Sequence, residues 1–451
     1  MLRHDGRRDS TRSRMTSCLA GKANRTMRPS ILQYLVCSVF ALSVAGRCDA
    51  QQLKEDAARV GTFPKIAGIT TVLRKNSHAE VIIGRLVRGY SLNDEGPRPE
   101  LTLKSLFADQ VPQSDLSREW STTYGFPIVG SVREALTHGS TSLTVDGVLL
   151  VAEHGDYERS ETGNKQFPKR RLFGEVAETF QSAGRVVPVF SDKHLADNWT
   201  DAKWIYDRAK ELKIPLMAGS SLPVLWRYPQ VDTRRDAQIE EIVAVSYGSL
   251  DAYGFHALEM VQCLVERRAG GETGVRSVQC LTGDAVWKAR DAGRFSSPLF
   301  AATLDRLTQK RWEKRNKTLE ESVREPVLWM VEYRDGLRAS ILTLNGAVAD
   351  WTAAWKYAGD DRIESTRFQV QEERPYGHFT FLVQGFEKMM ETGKPVWPVE
   401  RTLLTSGVLD ALLTSKLNGG DKLPTPWLDV RYTSDYEWKQ PPEPTVEATS
   451  K

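Results

Sequence analysis

Cysteine is scarce in this chain of 451 residues. It occurs at Cys18, Cys37, Cys48, Cys263 and Cys280, and no Cys-x-x-Cys pair is present. That excludes a zinc centre built from cysteines. A dominant charge is also missing: 61 Lys plus Arg face 58 Asp plus Glu, a formal net charge of +3. A nucleic-acid binder carries a basic excess gathered on one face, so no nucleic-acid partner is expected. With 33 Gly and 21 Pro the chain is neither collagenous nor low in complexity. No apolar run of 18 residues follows position 46, so no membrane span is expected there. What is present in quantity is apolar bulk, including 12 Trp and 15 Phe. A chain of this length and composition forms two or three packed domains.

Residues 1–26 are polar and basic, and an apolar run (ILQYLVCSVFALSVAG) fills 31–46. The run is short of the roughly 20 residues that span a bilayer, and it matches the apolar segment of a secretory signal. Residues 1–50 are therefore expected to be a leader, with the mature chain starting at Gly46 or Gln51 and residing in a periplasm or outside the cell. After such a cleavage Cys263 and Cys280 remain as a pair. Either a bridge or two buried thiols is compatible with their spacing.

Strands expected at 65–72, 101–108, 127–129, 145–152, 186–190 and 214–218 alternate with helices at 79–89, 116–124, 173–183 and 202–212. This alternation gives an α/β fold: an N-terminal, Rossmann-like, doubly wound parallel sheet over 64–228. Beyond Arg227 strands follow one another at 239–246, 275–281, 327–333, 337–344, 353–357 and 379–383. Helices are expected at 255–266, 386–392 and 401–414. The second domain, 229–435, is thus α+β with a mostly antiparallel sheet, and the Pro-rich 436–451 forms a disordered tail.

Five stretches in order carry a resemblance. VDGVLLVAEHGDY (145–157) is similar to a strand and the loop that covers a nicotinamide. GRVVPVFSDKHLA (184–196) is similar to a strand with a Glu-Lys-Pro motif after it. GFHALEMVQCL (254–264) is similar to a Gly-x-His-x-x-Asp helix. VEYRDGLRASILTLNG (331–346) and ETGKPVWPVERTLLTSGVLDALLTS (391–415) are similar to a hairpin and the C-terminal helices. Together they make residues 64–435 resemble the Gfo/Idh/MocA-type oxidoreductases.

The resemblance implies NAD or NADP as cofactor and a small carbohydrate, a sugar or polyol, as substrate. It also implies a homo-oligomer through the exposed face of the C-terminal sheet. On the cofactor side it points to Gly68, Arg74, Ser77, Asp109 at the ribose, and His154. On the catalytic side it points to Lys193 on the substrate oxygen and His256 as general base. Glu259 or Asp251 would set the tautomer of His256, and Glu259 lies three residues along on the same helix face.

Three departures stand out. The family's glycine-rich phosphate turn is reduced to Gly68, with Arg74 and Lys75 in the loop after it. Asp192-Lys193-His194 replaces Glu-Lys-Pro, and Glu259 replaces an aspartate. They keep two alternatives open: a carbohydrate-binding protein without redox chemistry, and a metal-assisted hydrolase using His154, Asp156, Asp192, His194, His256 and Glu259.

Overall fold

The computed structural model describes residues 63–443, so the expected leader lies outside the described residues. The first sheet contains β1 (Lys65–Thr70), β2 (Thr102–Ala108), β3 (Gly147–Val151), β4 (Val189–Asp192) and β5 (Leu216–Gly219). Their spatial order is β2-β1-β3-β4-β5, and all neighbours are parallel. The strand order reverses between β1 and β3. Such a reversal opens a crevice at the carboxyl ends of the strands, where ligands bind in sheets of this kind. β3 reads GVLLV and is buried along its whole length, as a strand covered on both faces must be.

The covering helices are α1 (His78–Arg88), α2 (Ser117–Tyr124), α3 (Val132–Thr137), α4 (Lys169–Ala183) and α5 (Trp199–Leu212). α1 starts where it does because the Ser77 side chain accepts a hydrogen bond from the Glu80 amide. An N-cap of this kind contributes about 1 kcal/mol.

The chain then enters an eight-stranded sheet through β6 (Trp226–Tyr228), β7 (Ile239–Ser246), α6 (Ala252–Val265) and β8 (Val275–Thr282). It continues through α7 (Asp284–Asp291), α8 (Ser297–Asp305), α9 (Leu319–Ser322), β9 (Val327–Tyr333), β10 (Arg338–Thr343), β11 (Trp351–Tyr357) and β12 (Ile363–Gln369). It closes with α10 (His378–Thr392), α11 (Val399–Leu417) and β13 (Leu423–Pro424). The order is β13-β8-β9-β10-β7-β11-β12-β6, and every neighbouring pair is antiparallel except β10 with β7. The fold therefore has the two expected halves, a parallel Rossmann-like sheet and a mostly antiparallel one.

α6 runs close against the second sheet. A Cβ on Gly254 would stand 2.1 Å from the Trp329 ring, so only a bare backbone permits this approach. Cys263 on α6 and Cys280 on β8 are both free and buried. Among the described residues no helix is long and apolar enough to cross a membrane.

The strand expected at 127–129 is only an isolated bridge of Ile128 with Leu106, and two further expectations need correction. The strand expected at 379–383 is the first part of helix α10. Its buried residues Phe379, Leu382, Val383, Phe386 and Met389 recur at three to four positions, a helical period that the short apolar run FTFLV hides. They pack with Ile66, Leu149, Phe190 and Met217 of the first sheet and with α1, so a late helix covers an early sheet.

The second correction concerns the expected tail, whose first residues, 436–443, are held on the protein surface. The Trp438 indole donates to the Leu225 carbonyl at 2.9 Å, the Gln440 side chain accepts from the Arg227 amide at 3.0 Å, and the Trp226 indole donates to the Pro442 carbonyl at 2.5 Å. The tryptophans supply the order that the proline content concealed.

Candidate functional site

The loops after β1, β3, β4 and β5 meet the start of α6 at the crevice. Lys193 follows β4 directly in a left-handed conformation (φ 61°), and its amide donates to the Gly219 carbonyl at 3.1 Å. A non-glycine residue held this way carries strain on the order of 1 kcal/mol or more, a cost often found at functional positions. Its buried ammonium lies 2.7 Å from Glu153 Oε2, and Lys169 Nζ lies 3.5 Å from the other oxygen of Glu153. Burial would lower the Lys193 pKa, but the charge and hydrogen bond of Glu153 outweigh it and the pKa is raised. Lys193 is thus a permanent cation.

Lys193 and His256 line one cavity of about 280 Å³, together with Ser77, His78, Tyr253, Trp351 and His378 among others. Tyr253 and Trp351 stack with ring centroids 5.9 Å apart and planes 11° from parallel. His256 Nδ1 is 2.6 Å from Ser220 Oγ. Burial, then the nearby Lys193 and His78, hold the His256 pKa well below the ordinary histidine value, so its ring is neutral.

A second cavity of about 250 Å³ adjoins the first through Lys193, His154 and Ala252, and it is lined by Arg74, Arg159 and Lys165 as well. His154 therefore stands between the two chambers. Burial and His78 push its pKa down to about 3.

Other expected site residues are used elsewhere. Glu259 is completely buried outside both chambers: it accepts from Thr402 Oγ1 at 3.2 Å, Thr405 Oγ1 at 2.7 Å and the Ser220 amide at 3.4 Å. It fixes the backbone of Ser220 and does not touch His256, whose tautomer partner is the Ser220 hydroxyl. Asp251 caps α6 and pairs with Arg159 at 2.9 Å. Gly68 lies inside β1, where an added Cβ would meet Leu106 at 3.0 Å and Leu103 at 3.2 Å, so it serves packing. Arg74 and Ser77 do line the crevice, with Ser77 committed to capping α1.

Asp109 is already occupied. Tyr157 Oη donates to its Oδ2 at 2.8 Å, and Arg171 lies 2.5 Å from its Oδ1.

Sequence reading missed His78 and Glu153 as site residues, and it weighed Asp192 only as a metal ligand. His78 Nδ1 is 2.7 Å from Asp192 Oδ2, and the Asp192 side chain is 1% exposed. The signal was available: an acidic residue two positions after β3, another at the end of β4, and a histidine where α1 begins. No three His, Cys, Asp or Glu side chains among the described residues are grouped to hold a metal ion. The hydrolase alternative thus lacks a ligand set there.

No protein-family model matches the sequence, and no curated protein matches it. Solved structures do match the fold. GenD2 from gentamicin A biosynthesis, in complex with NAD, aligns at 12% identity and a TM-score of 0.51, covering 80% of this chain and 96% of its own. Apo scyllo-inositol dehydrogenase from Lactobacillus casei aligns at 12% identity and a TM-score of 0.50, covering 80% and 98%. The fold is that of the Gfo/Idh/MocA-type oxidoreductases.

The residues present do not form the dinucleotide cradle that this fold offers. A pyrophosphate needs open amides at the N-terminus of α1. Here Ser77 takes the Glu80 amide, the Glu80 carboxylate takes the Asn76 amide, and Tyr376 Oη bonds the Asn76 side chain at 3.0 Å. A ribose needs a free carboxylate after β2, and both oxygens of Asp109 are engaged. The crevice keeps its cation and its imidazoles, while the ribose carboxylate and the Asn76 and Glu80 amides are engaged by the protein itself.

Proposed function

We propose that this chain is an exported oxidoreductase-fold enzyme acting on a hydroxyl of a sugar or polyol. The observation that carries the reading is the shared cavity of Lys193 and His256, walled by the stacked Tyr253 and Trp351 rings. Aromatic faces cover the apolar side of a ring, and a few convergent polar groups fix its orientation. The Lys193 ammonium donates to the hydroxyl oxygen and draws charge onto it. An imidazole lining the same cavity accepts the hydroxyl proton. Dinucleotide-dependent chemistry, on NAD or NADP, is supported by the solved neighbours of this fold. The groove residues as placed do not fit a dinucleotide, because Asp109 is held by Arg171 and Tyr157.

A second reading, a carbohydrate-binding protein without redox chemistry, is favoured by the engaged Asp109 and the closed start of α1. Mass and absorbance analysis of the purified protein, with calorimetry against NAD, NADP, myo-inositol and glucose, separates the two. Bound nicotinamide supports the redox form. Sugar or polyol binding without nicotinamide supports the second reading, and no binding of either removes both. Export is tested by N-terminal sequencing: a mature chain starting at Gly46 or Gln51 supports it, and an intact Met1 or Met27 on cell-associated protein contradicts it.

A further inference from the structure

Four histidines line the cavity, and two of them stand in unlike settings. His256 faces the Ser220 hydroxyl at 2.6 Å, with the Lys193 ammonium close by. His78 faces a buried carboxylate, Asp192, at 2.7 Å, and its own side chain is 16% exposed. The two rings stack with centroids 6.2 Å apart, and the edge of Phe379 holds His78 from another side at 4.8 Å. Resting on the reading that this cavity takes a sugar or polyol, we propose that His78, oriented by Asp192, is the general base toward the bound hydroxyl.

An ionised carboxylate only accepts hydrogen bonds, so Nδ1 of His78 carries the proton of that contact and Nε2 keeps its lone pair. When a hydroxyl gives up its proton, the O–H bond breaks, the proton joins Nε2, and the electron pair stays on the oxygen facing Lys193. The new imidazolium is neutralised across the Nδ1–H contact with Asp192, the role a carboxylate plays behind a catalytic histidine. His256 has no such partner. Its proton would stand beside the Lys193 cation, so it serves as a neutral hydrogen-bonding group.

This assignment gives a chemical meaning to the altered loop. His78 opens α1, where the glycine-rich fold of this type receives a phosphate. The same position now carries an acid–base group.

Nitrogen-15 NMR of histidine-labelled protein tests the proposal, with His78→Gln identifying the signal. The expected result is a neutral His78 ring protonated at Nδ1, a preference that Asp192→Asn abolishes. On a sugar or polyol that the wild type turns over, His78→Gln lowers kcat by about 10²–10⁴-fold with little change in KM. A ring protonated at Nε2, or an unchanged kcat, overturns the assignment. Failure of myo-inositol and glucose to bind the wild type would remove the sugar or polyol reading, while the tautomer still decides the role of His78.

Discussion

The two sides of the crevice start from the same strand ends and are furnished in opposite ways. On the dinucleotide side, carboxylates and helix amides are paired with the protein's own groups: Asp109 with Arg171 and Tyr157, the start of α1 with Ser77 and Glu80. On the cavity side, Lys193 and four histidines face a space large enough for a small ring. The difference teaches that a scaffold can keep its chemical groups while changing what it can cradle. Polar groups already satisfied internally must be freed before they can bind a ligand, and each such charged hydrogen bond resists by about 1.5–3 kcal/mol.

The comparison breaks most visibly at Lys193. Lys193→Met removes the cation that faces the developing oxygen charge, so kcat on a turned-over hydroxyl should fall by about 10²–10⁴-fold. Glu153 keeps Lys169 at 3.5 Å, so the variant should still fold. Unchanged turnover in a folded variant would remove Lys193 from the chemistry.

The crowded imidazoles predict a pH effect of the next size. His154, His194 and His378 are held at about 3, burial being the largest cause for each, and His256 is also depressed. Their folded pKa values lie below the unfolded value, so their contribution is present above about pH 6.5 and is lost as pH falls toward 3. Asp197 acts in the opposite sense. Burial, its largest cause, pushes it up to about 8, so its contribution is present below about pH 3.9 and is lost as pH rises through 8. Burial raises Glu259, Glu387 and Asp410 in the same sense as Asp197, so the four histidines drive a fall in Tm between pH 7 and pH 5 that these carboxyls oppose. His378→Asn should flatten that slope, and a Tm independent of pH would contradict the buried neutral rings.

On the dinucleotide side the effects are smaller and structural. Gly68→Ala places a Cβ 3.0 Å from Leu106 and should cost about 1–3 kcal/mol in chemical denaturation, leaving affinity for any cavity ligand unchanged. Asp109→Ala releases Arg171, itself half exposed, and Tyr157; the expected loss is about 1–2 kcal/mol of stability. If Asp109→Ala instead weakened NAD binding with no change in stability, the carboxylate would belong to a ribose site.

Much of this was legible in the sequence. The alternation of buried strands and helices gave the parallel sheet, and the succession of strands beyond Arg227 marked the second sheet, because local periodicity decides those elements. The placement of Lys193 and His256 in one cavity follows from topology, since residues after β4 and at the start of α6 meet at the crevice. The rest depended on partners distant in sequence. Glu259 shares a helix with His256, but Thr402 and Thr405 of α11 draw its carboxylate away. Asp109 looked free until Tyr157 and Arg171, 48 and 62 residues away, were seen to hold it. His78 gained its meaning only from Asp192, 114 residues later.

A crystal structure of the protein soaked with a mixture of myo-inositol, glucose and glucuronate tests the central claim most directly. The account predicts one of these molecules against the Tyr253–Trp351 wall, with a hydroxyl within hydrogen-bond distance of both Lys193 Nζ and His78 Nε2, and Asp109 still bound to Arg171 and Tyr157. A ligand that left Lys193 and His78 untouched, or that bound only after displacing Arg171 from Asp109, would contradict it.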